Sequence, residues 1–116
     1  MNILILEDEP ILLEFLEGAF PGRKHDVRTF ASATGALEVL HDWQPELVIL
    51  DLDLATAKGA DLAWVIARVR VSLQPVRIIL VSAEPERLAR AFRVADGVLL
   101  KPVAVEELVT MVALAG

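Results

Sequence analysis

What most narrows the fold of this chain is an alternation that holds from end to end. Short apolar, β-branched runs are each followed by a longer stretch with helical periodicity. The runs are NILIL (2–6), DVRTF (26–30), ELVIL (46–50), VRIILV (76–81) and GVLL (97–100), all of strand length. Helical patterns begin near Pro10, Ser32, Gly59, Pro85 and Ala104. Pro10 and Pro85 suit a first helical turn, Ser32 suits an N-cap, and Gly22, Pro45, Pro75 and Gly97 punctuate the connections. Five successive β/α units predict an α/β, doubly wound (βα)5 fold, in which a five-stranded parallel sheet carries helices on both faces because its crossovers are right-handed. The first, third and fourth runs are the most continuously apolar, so they are expected at the sheet centre.

Composition bounds the function. A chain of 116 residues with 55% apolar and 24% charged residues suits one domain, residues 1–116, with no output domain after its last helix. Seventeen acidic residues against 11 basic ones, a net charge of −6, argue against a direct grip on nucleic acid or an anionic membrane. The absence of cysteine removes disulfide scaffolds and cysteine-ligated zinc. The N-terminus lacks the basic segment and the apolar length of a signal peptide. No apolar run approaches the roughly 20 residues that span a bilayer. The expected location is the cytoplasm.

In an open parallel sheet, ligands bind beyond the carboxyl ends of the strands. The first run is followed by Glu7 and Asp8, the third by Asp51 and Asp53, the fourth by Ser82 and Glu84, and the fifth by Lys101. Glu7, Asp8 and Asp51 converging on one edge would repel one another unless a cation sat among them. Hard oxygen ligands, with no His or Cys cluster beside them, suit Mg²⁺. Lys101 adds a fixed positive charge and Ser82 a hydroxyl donor. A carboxylate nucleophile, a magnesium ion, a lysine and a hydroxyl are the parts for phosphoryl transfer to an aspartate.

Across essentially its whole length the chain resembles the receiver domains of two-component response regulators, the CheY-like superfamily. The resemblance rests on the pair Glu7 and Asp8, Asp51 after LVIL, Ser82 after RIILV, Lys101 with Pro102 in LLKPV, and Gly59 eight positions beyond Asp51. It implies a flavodoxin-like fold with strand order 2-1-3-4-5. It also implies Mg²⁺ held by Asp8, Asp51 and the main-chain carbonyl of Asp53, with Glu7 acting through water. Asp51 would be phosphorylated by a histidine kinase or a histidine phosphotransfer protein, with Lys101, Ser82 and the Ala83 amide stabilising the phosphoryl oxygens. The protein would not be an enzyme in the ordinary sense, beyond catalysing its own phosphoryl transfer and dephosphorylation. Asp53 and its expected neighbour Glu84 would modulate phosphoryl lifetime by adding negative charge where water approaches.

Three features depart from the family pattern. Val98 holds the switch position, where a tyrosine or phenylalanine is common; Ala55 replaces a common proline; and the segment from Ser82 to Lys101 is about one helical turn short. Candidate partner surfaces follow from exposed patterning. On the third helix, Leu62, Val65, Ile66, Val69 and Leu73 form a core stripe, while Ala60, Trp64, Ala67 and Val71 form a second one. On the fourth, Arg87, Arg90 and Arg93 recur every three residues and offer a solvated, acidic-partner or homodimer face. Kinase docking would use Leu13, Glu17, Phe20, Pro102 and Val103. His25 and His41 read as surface histidines.

Two other functions compete. DLDLAT resembles the nucleophile motif of haloacid-dehalogenase-like phosphatases, with Asp53 as general acid, but there the nucleophile strand opens the domain and the metal carboxylates come last. A degenerate receiver acting as a phosphorylation-independent protein-binding module is the other reading, favoured by Val98 and the shortened segment.

Overall fold

In the computed structural model, which describes residues 1–54, 59–71 and 74–115, the elements alternate as the sequence predicts. They are β1 (Asn2–Leu6), α1 (Pro10–Gly18), β2 (Asp26–Phe30), α2 (Ala33–Val39), β3 (Leu47–Asp51), α3 (Gly59–Arg70), β4 (Arg77–Ser82), α4 (Pro85–Ala91), a 3₁₀ turn (Phe92–Val94), β5 (Gly97–Leu100) and α5 (Val105–Ala115). The strands form one parallel sheet in the order β2-β1-β3-β4-β5. The three continuously apolar strands are therefore central. Ala55 and Leu73 lie outside the described residues, as does the side chain of Ala60.

Alternation of side chains along each strand splits the core into two layers. Leu4, Leu6, Val48, Leu50, Ile78 and Leu80 pack under α2, α3 and α4 with Ala36, Leu62, Val65, Val69 and Leu88. Ile3, Ile5, Leu47, Ile49, Ile79, Val81 and Leu99 face α1 and α5 with Leu16 and Leu108. Burial on both faces is why these strands read as unbroken apolar runs. Leu80 is fully buried in the first layer, so Leu80→Ala is expected to lower stability by about 2–5 kcal/mol, through lost transfer energy and the cavity left behind. Urea unfolding, read as a shift in midpoint at constant slope, measures this.

Local signals set the helix starts. The Glu9 carboxylate accepts from the Ile11 and Leu12 amides at the head of α1, and Ser32 Oγ accepts from the Gly35 amide at the head of α2, satisfying donors that a helix leaves unpaired. Gly35 also lets α2 approach β2, because a Cβ there would lie 2.9 Å from the Phe30 ring. α4 is a seven-residue helix whose N-cap, Glu84, makes no side-chain capping bond.

Two surface assignments are corrected. Phe20, expected on the kinase-docking face, is 5% exposed and joins the core layer of Leu16 and Leu108, because an aromatic ring just past α1 gains more from that layer than from water. His25 packs edge-on against it, with ring centroids 5.9 Å apart, so it is half-buried, whereas His41 is exposed. Trp64 and Val71 are 70% exposed. Among the described residues no helix is long and apolar enough to cross a membrane.

Candidate phosphoryl and metal site

Parallel register brings the strand ends together at one edge of the sheet. Leu6 pairs with Leu50, Asp51 with Val81, and Ser82 with Leu100, so the residues that follow β1, β3, β4 and β5 all open onto the same edge. Glu7, Asp8 and Asp51 each offer a carboxylate oxygen there, all within 4.8 Å of one another. Glu7 is fully buried and Asp51 is 2% exposed.

Burial first, and then the neighbouring Asp51 carboxylate, push the Glu7 carboxyl up from 4.5 to about 7. Its Oε1 accepts from the Asp8 and Glu9 amides at 3.1 and 2.9 Å, while its buried Oε2 accepts from no donor among the described residues. A buried carboxylate oxygen with no donor, in a cluster of three carboxylates, suits a cation or its water. The all-oxygen donor set fits Mg²⁺.

On the other side of Asp51, Lys101 Nζ donates to Oδ2 at 3.1 Å, and the Asp53 amide donates to Oδ1 at 2.8 Å. Burial opposes the charge of Lys101, but the bond and the attraction to Asp51 outweigh it, with help from Glu7 and Asp53, so the ammonium is held above its ordinary pKa. Asp51 is thus oriented by two donors on one side and faces the acidic pair on the other.

The Asp53 side chain is engaged in a way no local pattern announces. Its Oδ1 accepts from Ser82 Oγ at 2.7 Å and from Arg87 Nη1 at 2.8 Å. Its Oδ2 accepts from the Ala83 amide at 2.7 Å and lies 3.4 Å from Lys101 Nζ. Burial would raise its pKa, but the Ala83 amide, Ser82, Arg87 and Lys101 together hold it below the ordinary carboxylate range. Glu84, expected to face Asp53, instead pairs through Oε2 with Arg87 Nε at 2.8 Å. Both acidic side chains accept from one guanidinium, which offsets part of the negative charge expected at that spot.

Arg87, read from sequence as part of a surface stripe, is therefore a site residue, while Arg90 and Arg93 remain exposed. The signal that could have found it is its place on the first turn of α4, directly after β4, at the same sheet edge as Asp53. Val98 is half-buried against the layer under α4. Leu13 and Val103 are also half-buried, and Glu17 and Pro102 are exposed. A groove of about 530 Å³ beside the site is lined by Ile11, Leu12, Phe15, Pro102 and Val103. Of these, Ile11 is 78% exposed and was missed by the sequence reading.

Comparisons with known proteins agree with this geometry. The family model described as "Response regulator receiver domain" matches residues 3–113. The TorCAD operon transcriptional regulatory protein TorR of Escherichia coli is 30% identical over 114 residues, covering 96% of this chain and 48% of that protein. The positive alginate biosynthesis regulatory protein of Pseudomonas aeruginosa is 33% identical over 112 residues, covering 93% of this chain and 44% of that protein. The chain thus spans about half the length of these relatives. Among solved structures, the receiver domain of the TMAO respiratory system response regulator TorR superposes with a TM-score of 0.78 at 30% identity, over 97% of this chain and 92% of that one. The PhyR receiver domain of Erythrobacter litoralis also gives 0.78, at 29% identity, over 98% and 88%. Sheet order, the acidic edge and a family match over nearly its whole length make this chain a member of the response regulator receiver domain family.

Proposed function

We propose that the chain, residues 1–116, acts as one phospho-accepting receiver, taking a phosphoryl group from a phosphohistidine onto Asp51. The observation that carries this is the setting of Asp51, whose buried carboxylate lies between Lys101 Nζ at 3.1 Å and the acidic pair Glu7 and Asp8. Receiver families work with histidine kinases, and a kinase or a histidine phosphotransfer protein is the proposed donor here. Membership in the family displaces the haloacid-dehalogenase-like alternative.

In the transfer, an Asp51 carboxylate oxygen attacks phosphorus, the P–N bond to the donor histidine breaks, and its electron pair stays on the imidazole nitrogen. Asp8, Asp51, the Asp53 carbonyl and, through water, Glu7 would hold Mg²⁺, which supplies charge neutralisation of the phosphoryl oxygens. Lys101 keeps the Asp51 carboxylate in place and offers its ammonium to the incoming oxygens. Ser82 and the Ala83 amide are the further donors. The apolar groove of Ile11, Phe15, Pro102 and Val103 suits a kinase or phosphotransfer helix beside the nucleophile. Output passes by protein contacts, with the exposed Trp64, Val71, Arg90 and Arg93 as candidate surfaces. The cytoplasm is the matching compartment.

Intact mass after incubation with a small acyl phosphate and Mg²⁺ tests this reading. The expected result is a hydroxylamine-labile gain of one phosphoryl group, absent when the ion is chelated. No gain from either the small donor or a phosphorylated histidine donor domain would sink it and favour the phosphorylation-independent module, in which Asp51→Asn leaves partner binding unchanged.

A further inference from the structure

Ser82 Oγ, the Ala83 amide and Lys101 Nζ form a small anion-binding set at the ends of β4 and β5, and a carboxylate already occupies it. Asp53 presents two oxygens to four donors: Ser82 and Arg87 on Oδ1, Ala83 and Lys101 on Oδ2, at 2.7 to 3.4 Å. A carboxylate has about four lone-pair sites, so this one is saturated. Three of those four donors are the groups assigned above to the phosphoryl oxygens. A phosphoryl group on Asp51 and the Asp53 carboxylate would both be anionic and would compete for the same hydrogens.

We propose that the Asp53 carboxylate is an internal occupant of the anion site made by Ser82, Ala83 and Lys101, latched there by Arg87, and that an incoming phosphoryl group has to displace it. The displacement rests on the phosphoacceptor role of Asp51; the occupancy does not. Arg87 makes the event visible at a distance. It belongs to α4, whose N-cap side chain makes no capping bond, and its guanidinium ties that helix to the loop after β3 through Asp53 Oδ1 at 2.8 Å and the Leu52 carbonyl at 3.4 Å. Expelling Asp53 breaks the stronger tie, leaves Arg87 with Glu84 and the weaker Leu52 contact, and loosens the first turn of α4 from the loop. Val98 has no ring to swing, and a guanidinium latch gives α4 a link to the site that needs none. Arg87 is on this account a positioning residue, acting through Asp53.

The test has one arm that needs no phosphate chemistry. In ¹⁵N-resolved NMR spectra of the metal-free protein, the Ala83 amide proton is expected at low field, as a donor to a carboxylate. In Asp53→Ala it moves upfield and the amides of Glu86 to Ala89 shift with it. In Arg87→Gln those α4 amides shift while Ala83 stays at low field, and Arg87→Lys restores them in part. Asp53→Asn, which keeps the shape and loses the charge, guards against a folding defect.

In the second arm, Asp53→Ala is expected to take up phosphoryl from a small acyl phosphate about tenfold faster than wild type, since a charge-assisted competitor is gone. An Ala83 amide unmoved in both Asp53 variants overturns the occupancy. Fixed α4 amides in Asp53→Ala overturn the latch, and uptake no faster than wild type overturns the displacement. If Ala83 moves while neither protein ever gains a phosphoryl group, the occupancy stands and the phosphoacceptor reading falls.

Discussion

Asp51→Asn is expected to fold and to take up no phosphoryl group from any donor. An amide of the same shape keeps one acceptor, which either the Asp53 amide or Lys101 can use, but it has no anionic oxygen to attack phosphorus. Two of its acidic neighbours are poorly placed to take over. Asp53 has both oxygens committed to four donors, and Glu7 is fully buried, with Oε1 held by two backbone amides. Loss of the Asp51 charge also removes a cause of the raised Glu7 pKa and one of three clustered carboxylates, so affinity for a divalent ion should fall with it. Intact mass beside wild type, with circular dichroism to confirm the fold, measures the first effect, and calorimetric Mg²⁺ titration the second. A hydroxylamine-labile gain persisting in Asp51→Asn would move the acceptor to another carboxylate and refute the assignment.

Glu7→Gln is expected to stabilise the metal-free protein at pH 8. The folded state holds the Glu7 proton up to about 7 against an ordinary 4.5, so between those values the native chain binds the proton more tightly than the unfolded chain does. Stability tied to that proton is full below about 4.5 and is lost as pH rises through about 7, the sign required when the folded pKa is the higher one. At pH 8 wild type carries the whole cost of a buried carboxylate beside Asp51, on the order of 3 kcal/mol for such a shift. Glutamine avoids that cost, and its advantage should shrink as the pH is lowered toward 4.5.

Saturating Mg²⁺ should close the gap from the other side, because the ion stabilises the wild-type carboxylate that glutamine lacks. Urea denaturation of both proteins at pH 5 and pH 8, with and without the ion, separates these effects. A pH-independent difference between the two proteins would show that Glu7 does not titrate in this range.

Much of the site was legible because strand ends are a local property. Glu7, Asp8, Asp51, Ser82 and Lys101 each follow an apolar run, and a parallel sheet delivers the ends of all such runs to one edge. The edge then needs only the strand order, which the resemblance supplied. Residues whose roles depend on contacts between distant segments were not legible in the same way. Arg87, Arg90 and Arg93 share one spacing, yet only Arg87 meets an acidic site residue, Asp53, 34 positions away. Glu84 stood as near the site in sequence as Arg87 did, and turned to it rather than to Asp53. Phe20 had the character of an exposed docking residue until the space left between α1 and the rest of its core layer was known. Trp43, 9% exposed, went unremarked, though its indole nitrogen donates to Asp26 at 3.1 Å and its ring lies 4.6 Å beneath the Arg28 guanidinium.

By itself, then, the order of apolar runs and helical stretches determined a parallel sheet with helices on both faces and the strand ends at which the chemistry gathers, because these depend on periodicity and on crossover handedness, which are encoded residue by residue; the full strand order came from the resemblance. Only the tertiary structure decided which donors reach which carboxylate at that edge. Those pairings turn on ångström-scale differences in where the loop after β3 lies against the first turn of α4, and no run of neighbouring residues carries that distance.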